Sequence, residues 1–313
     1  MKLNGDHITI NSFELLSIIS DEEKAFSIFE NTKWKTGVTC PYCKSNNIRT
    51  ETRKHFYFCH NCCEKFTVRT GSIMERSHIK LGKWLYAIYL ILTARKGISS
   101  LQLSKQLGIT QKSCWFMLQR IRKACAGDHK KLCGIVEVDE TYIGGKEKNK
   151  HSSDKLHAGR GASGKMPVFG IRSRNGSVKA MAVSDTSMDT LQGLIYSEVR
   201  KGSVVCTDEY RSYNGLEDRY AHCSVNHSAK QFVDGMAYTN GIESVWAVLK
   251  RGFYGTYHKF SQKHLQRYVD EFSFRLGSGN VKIPTMDRIG SLICRMGCGR
   301  FTYRMCVGPI GSN

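Results

Sequence analysis

Apolar positions along the chain fall into short continuous runs and longer helical repeats. Ile135, Val136 and Val138 form a run that stops at Asp139, and Val204, Val205 and Cys206 form another that stops at Asp208. Runs of this length bounded by turn residues predict strands. Between them, Val168–Arg172 and Val178–Val183 read as a hairpin joined across Asn175 and Gly176, and TLQGLIYSEVRKG reads as a helix. Downstream, Ile242, Val245, Trp246 and Leu249 recur at helical spacing, with Asn240 or Thr239 as the cap. Upstream, Leu81, Trp84, Leu85, Ile88 and Leu92 predict a buried helix ending at Gly97. The next segment, ISSLQLSKQLGITQKSCWFMLQRIRKAC, predicts two helices around a turn at Gly108 and Ile109, a helix-turn-helix pattern. Thr110 would cap its second helix and Trp115, Leu118, Ile121 and Cys125 would face inward. Gln111, Lys112, Ser113, Gln119, Arg120 and Arg122 would face outward. The first three, early in that helix, are the expected base readers, and the two arginines are expected to touch DNA. Strands and helices interleaved in this way give a mixed α/β fold class.

Three acids sit at the ends of these elements. Asp139 and Asp208 close two strands, where the ends of neighbouring strands form a crevice, and Glu243 lies in the first turn of a helix. Glu243 and Lys250 are seven residues apart and so share a helical face. Carboxylates gathered from separate elements are what two hard cations, Mg2+ or Mn2+, require in phosphoryl transfer. Glu140 is left out, because alternation along a strand sends it to the opposite face from Asp139.

Cys40, Cys43, Cys59 and Cys62 read C-x2-C, fifteen residues, C-x2-C, the spacing of a zinc ribbon holding a structural Zn2+. Cys63 is the alternative to Cys62. The other cysteines among the thirteen have no comparable grouping, and packing is their expected role. A chain of 313 residues with 41% hydrophobic content supports one substantial core with small modules. Its net charge of +20 and pI near 9.5 imply a polyanionic partner, double-stranded DNA being the natural one. With no apolar run long enough to span a bilayer and no signal-peptide pattern, a cytoplasmic, nucleoid-associated protein without a membrane partner is expected. After the first strand, IGGKEKNKHSSDKLHAGRGASGK is a glycine-rich basic loop in which Lys148, Lys150 and Arg160 are expected DNA-backbone contacts.

The segments VEVDETYIGGKEKNKH, LHAGRG, VVCTDEYRSY, VNHSAKQFV, TNGIESVWAVLKRGFYGTYHKFS and KHLQRYVDEFSFR resemble bacterial insertion-sequence transposases of the DDE type. The group in question pairs a zinc ribbon with a ribonuclease H-like domain and is related to the eukaryotic Merlin elements. The resemblance runs from about Phe26 to about Arg275. It implies a ribonuclease H-like catalytic core with two Mg2+ or Mn2+ ions per active site, held by Asp139, Asp208 and Glu243 with Lys250 assisting, and with Asn240 as the rival to Glu243 because some members carry Asn at the third position. It also implies a helix-turn-helix for the terminal inverted repeats and a homodimer or larger assembly when two ends are synapsed. The expected division is an N-terminal helical segment (1–35), the ribbon (36–70), a helical DNA-binding region (71–130), the catalytic domain (131–276) and a tail (277–313). The tail departs from the family, which carries an Arg-His-Asn run where this chain has Arg275, Leu276 and Gly277. A noncatalytic DNA-binding regulator derived from a transposase is the other expectation, and retention of the three acids separates the two.

Overall fold

The structure is a computed structural model that describes residues 3–4, 7–8, 10–51, 55–127, 130–145, 151–154, 164–225, 238–277 and 280–308. Its elements in chain order begin with strands β1 (Leu3–Asn4) and β2 (His7–Ile8) and helices α1 (Ser12–Ser20) and α2 (Glu22–Lys33). Strands β3 (Ile48–Glu51), β4 (Phe56–Cys59) and β5 (Lys65–Phe66) follow, then helices α3 (Leu81–Thr93), α4 (Ser100–Leu107) and α5 (Gln111–Cys125). Next come β6 (Ile135–Ile143), β7 (Met166–Ser173), β8 (Val178–Ala182), α6 (Met188–Glu198), β9 (Val204–Asp208) and β10 (Ala221–Val225). Helices α7 (Asn240–Gly252), α8 (Gln262–Leu276), α9 (Thr285–Arg295) and α10 (Tyr303–Val307) complete the order. The chain forms two compact units, Met1–Cys125 with Val281–Asn313, and Ala126–Asn280.

The first unit is helical around the ribbon. Asn11 and Glu14 form a reciprocal capping box at the start of α1, and Asp21 caps α2, so the donors left over at both helix starts are satisfied. Strands β3, β4 and β5 make a three-stranded antiparallel sheet. The stretch expected as a tail (277–313) belongs to this unit from Val281 onward, burying Ile289, Leu292 and Ile293 of α9. Arg288 donates through Nη1 to the Leu92 carbonyl at 3.0 Å, and Ile73 N–H donates to the Met296 carbonyl at 3.0 Å. The physical reason is the apolar stripe of α9, which must be buried somewhere.

The second unit is a ribonuclease H-like domain. Its sheet has the order β10-β9-β6-β7-β8, with β6, β9 and β10 parallel and β7 and β8 antiparallel. The β7–β8 turn has Gly176 at φ 101°, where a side chain would be strained. Alternation sorts the two faces of the sheet. Val136, Val138, Phe169 and Ile171 pack against Leu191 and Ile195 of α6. Ile143, Val168 and Ala180 pack on the other face with Ile242, Trp246 and Leu249 of α7 and Phe272 of α8. That second face carries the candidate site.

Candidate active site and metal centres

Strands β6 and β9 run parallel, and their last paired residues are Glu137 and Cys206. Asp139 and Asp208 each lie two residues further on, so both emerge on one face at the carboxyl end of the sheet. Carboxylate oxygens of Asp139, Glu140 and Asp208 lie within 4.8 Å of one another. Asp139 Oδ1 accepts from the Glu140 N–H at 2.8 Å and Oδ2 accepts from the Trp246 indole N–H at 3.0 Å. Asp208 Oδ1 accepts from the Tyr210 N–H at 3.0 Å. Burial pushes the Asp139 carboxyl up to about 8, and the charges of Glu140 and Asp208 add to the shift. Three converging hard oxygen donors that repel one another fit a divalent cation, which removes the repulsion.

The inclusion of Glu140 corrects the sequence reading. Alternation holds in direction, since Glu140 Oε2 accepts from the hydroxyl of Tyr213, which packs on the α6 side, at 2.7 Å. Beyond Glu137, however, β6 is no longer paired with β9, and carboxylates from both faces meet at that open end. Desolvation and the Asp208 charge raise the Glu140 carboxyl as well, against the lowering bond from Tyr213.

Glu243 lies apart from this convergence, exposed in the first turn of α7 and accepting from Thr239 Oγ1 at 2.9 Å. Asn240 and Lys250 are exposed on the same helix. What brings α7 to the site is Trp246, one turn beyond Glu243. Its ring fits against β7 only because residue 170 is glycine, where a Cβ would fall 2.3 Å from the indole.

Sequence reasoning missed Glu137. It is 2% exposed and its Oε2 accepts the Ile242 N–H at 2.9 Å, tying the first turn of α7 to the strand that carries Asp139. Arg174 Nε lies 3.4 Å from Glu137 Oε1, with its guanidinium over the Tyr238 ring. Arg172 donates to the Gly241 carbonyl and, at 2.9 Å, to Ser244 Oγ. An acid inside the apolar run IVEVD was the signal available.

Residues 131–277, which span this sheet and its helices, match the family model described as the ISXO2-like transposase domain. The chain carries an insertion-sequence DDE transposase domain. An uncharacterized protein in transposable element ISH50 of Halobacterium salinarum is 28% identical over 268 residues, covering 81% of this chain and 90% of that protein. An uncharacterized transposase-like protein of Haemophilus influenzae is 29% identical over 106 residues, 34% of this chain and 85% of its own length.

Ahead of the transposase domain, the Sγ atoms of Cys40, Cys43, Cys59 and Cys62 converge within 4.8 Å. Cys40 and Cys62 sulfurs are 3.6 Å apart, and Cys43 and Cys59 sulfurs 3.5 Å. A tetrahedral metal with sulfur bonds of about 2.3 Å places its sulfurs about 3.8 Å apart, so the four thiols fit Zn2+. The two knuckles share a geometry, because Lys44 and Cys63, each directly after a second cysteine, adopt φ 63° and 58°. That backbone turns the exposed Cys63 away from the cluster and leaves Cys62 as the fourth donor.

The helix-turn-helix is formed by α4 and α5 around Gly108 at φ 61°. Thr110 Oγ1 accepts the Ser113 N–H at 3.2 Å and donates to Ser113 Oγ at 2.9 Å, closing the start of α5. Gln111 donates through Nε2 to Ser100 Oγ at 2.7 Å; of the three expected base readers, Gln111 and Lys112 are exposed and Ser113 is half-buried. Arg120 and Arg122 are corrected. They are buried, at 8% and 1% exposure, and Arg120 Nε donates to the Phe301 carbonyl at 3.1 Å while its guanidinium covers the Phe116 ring. The segment returning after α9 covers Arg120, whereas Arg122, about 200° further round α5, is buried on another side of the helix. Lys148, Lys150 and Arg160 lie outside the described residues. His222 is structural, paired through Nε2 with Thr207 Oγ1 at 2.9 Å and through Nδ1 with Glu217 at 2.7 Å. Among the described residues, no helix is long and apolar enough to cross a membrane.

Proposed function

We propose that this chain is the transposase of its own insertion sequence, binding the terminal inverted repeats as double-stranded DNA and carrying out divalent-metal-dependent strand cleavage and strand transfer. The observation that carries this reading is the convergence of Asp139 and Asp208 from equivalent positions on parallel neighbouring strands. In this reading Asp139 and Asp208 hold the shared ion, and Glu243, with Asn240 as its rival, completes a second. Bound Mg2+ or Mn2+ supplies activation of the attacking oxygen and stabilisation of the leaving one.

The chain's own residues prepare that chemistry. Trp246 N–H fixes the Asp139 carboxylate, Tyr213 holds Glu140, and Glu137 anchors the turn of α7 that presents Glu243. In this reading Lys250, two turns along, steadies a phosphate beside the scissile one. In the first step a water oxygen bonds to phosphorus, its proton leaves, and the P–O3′ bond at the element's end breaks. In the second, the freed 3′-hydroxyl oxygen bonds to a target phosphorus and displaces the target's own 3′ oxygen. Lys112 and the start of α5 read the repeat, and Lys148, Lys150 and Arg160 contact the backbone. Joining two ends calls for a homodimer or larger assembly, and the compartment is the nucleoid-bearing cytoplasm. Zn2+ is structural.

The test is incubation of purified protein and Mg2+ with duplexes from the flanks of its own gene. New 3′-hydroxyl ends at the repeats and joined products are expected. Specific end binding with no metal-dependent cleavage would instead favour a noncatalytic regulator.

A further inference from the structure

Four aromatic rings at the edge of the helix-turn-helix join it to α10, the last helix among the described residues. Tyr303, the first residue of α10, meets Phe116 edge-on with ring centroids 5.5 Å apart and Trp115 at 6.3 Å. Phe301 lies 6.4 Å from Phe116, and its carbonyl receives the Arg120 bond. Thr302 accepts the Met305 N–H at 3.2 Å to cap α10, and Cys306 is buried. Helix α10 is therefore docked on the flank of α5 by its own packing.

The docking leaves the other side of α10 open. Tyr303 remains 43% exposed, Arg304 is exposed, and the Lys112 ammonium sits 5.3 Å from the Tyr303 ring. Lys112 belongs to the first turn of α5, the part of a recognition helix that enters the major groove. The surroundings are mostly positive: from Arg76 to Gly127, and again from Arg288 to the end, the sequence has no Asp or Glu, and the neighbouring acid, Glu75, is paired with Arg300 at 3.8 Å. A shallow groove of about 260 Å³ beside α5 adds Arg76, His78 and Ser113 to its lining. Duplex DNA is the partner that matches a positive surface bearing an exposed tyrosine hydroxyl and a guanidinium, because phosphate oxygens take both.

We propose that α10 completes the DNA-binding face of the helix-turn-helix, with Tyr303 and Arg304 contacting the backbone of the duplex whose groove α5 enters. This rests on the reading of α4 and α5 as the end-binding module. Backbone contacts hold register and orientation, while α5 supplies the sequence preference. A C-terminal segment thereby acts in recognition of the same DNA as a module almost two hundred residues earlier.

Fluorescence anisotropy with full-length, zinc-loaded protein tests this, using one duplex from the element's end and one unrelated duplex over a salt series. For Arg304→Ala, binding to both duplexes should weaken by a similar factor, about 3- to 30-fold, and the slope of log K against log salt should fall by about one. Tyr303→Phe removes only the hydroxyl and should weaken both duplexes to a smaller degree at an unchanged slope. Thermal melting checks that each exposed-site variant is folded. Wild-type affinity and slope in both variants would overturn the proposal, as would a Tyr303→Ala that melts earlier yet binds normally while folded. Lys112→Ala separates the two levels: if it erases end preference while Arg304→Ala changes nothing, only the role of α10 falls. A wild-type protein with no end preference removes both.

Discussion

Gly241→Ala is the sharpest perturbation of the candidate site. A Cβ at residue 241 would sit 2.3 Å from Glu137 Oε2 and 2.9 Å from both its Cδ and Oε1. Ordinary contact begins near 3.4 Å, so either the carboxylate or the first turn of α7 must move by about 1 Å. The carboxylate has little freedom, being buried and bonded to the Ile242 N–H with Arg174 beside it. Losing that charge-assisted bond costs about 1.5–3 kcal/mol, against which Ala gains about 1 kcal/mol over Gly in helix propensity. The net loss of about 0.5–2 kcal/mol lowers the melting temperature of the second unit by about 1–8 °C. Displacing Glu243 by about 1 Å should cost strand cleavage about a hundredfold, mainly in kcat. Melting curves and single-turnover cleavage of an end duplex provide the readouts. Glu137→Ala vacates the space, so Gly241→Ala should cost much less in that background than in wild type. A Gly241→Ala protein that melts higher than wild type and cleaves normally would show that the Glu137 anchor does not hold α7.

Further expectations concern the metals and the DNA-binding module. Since Asp139 is shifted up to about 8, the folded state favours its proton, so its contribution to stability is full below about 4 and is lost as pH rises toward 8. Mn2+ must displace that proton: calorimetry below pH 8 should show proton release and affinity rising about tenfold per pH unit, and a flat profile between pH 6 and 8 would oppose it. Chelation should release one zinc per chain and unfold the ribbon, whose Trp34 stacks edge-on at 4.8 Å from Tyr57, so an unaltered Trp34 emission after zinc loss would count against the site. Footprinting of the Gln111→Ala, Lys112→Ala double variant should show lost end preference with Mn2+ binding intact.

The pair Asp139 and Asp208 was legible because each closes an apolar run, and a β-strand register carries that pattern into space almost unchanged. The cluster of four thiols was legible because a knuckle is a local structure. Glu140 was not, since alternation describes a paired strand and fails to tell where pairing with β9 stops. Arg120 and Arg122 were misread for a different reason. A helical wheel ranks positions by polarity, whereas burial is decided by what packs around the helix, for Arg120 a segment nearly two hundred residues away that returns to α5. Glu137 shows the same limit, because its worth depends on Gly241, Ile242 and Arg174, which only the fold brings together. That these elements make a ribonuclease H-like fold came from family resemblance and not from periodicity, which does not tell which strands lie side by side in the sheet β10-β9-β6-β7-β8.

The central claim is that Asp139 and Asp208 jointly hold a catalytic ion, and Asp208→Asn tests it most directly, with the carboxylate lost and the shape kept. Unchanged binding to end duplexes, loss of Mn2+ binding by electron paramagnetic resonance, and no strand cleavage or transfer in Mg2+ are expected. An Asp208→Asn protein that still joins element ends to target DNA at the wild-type rate would contradict it.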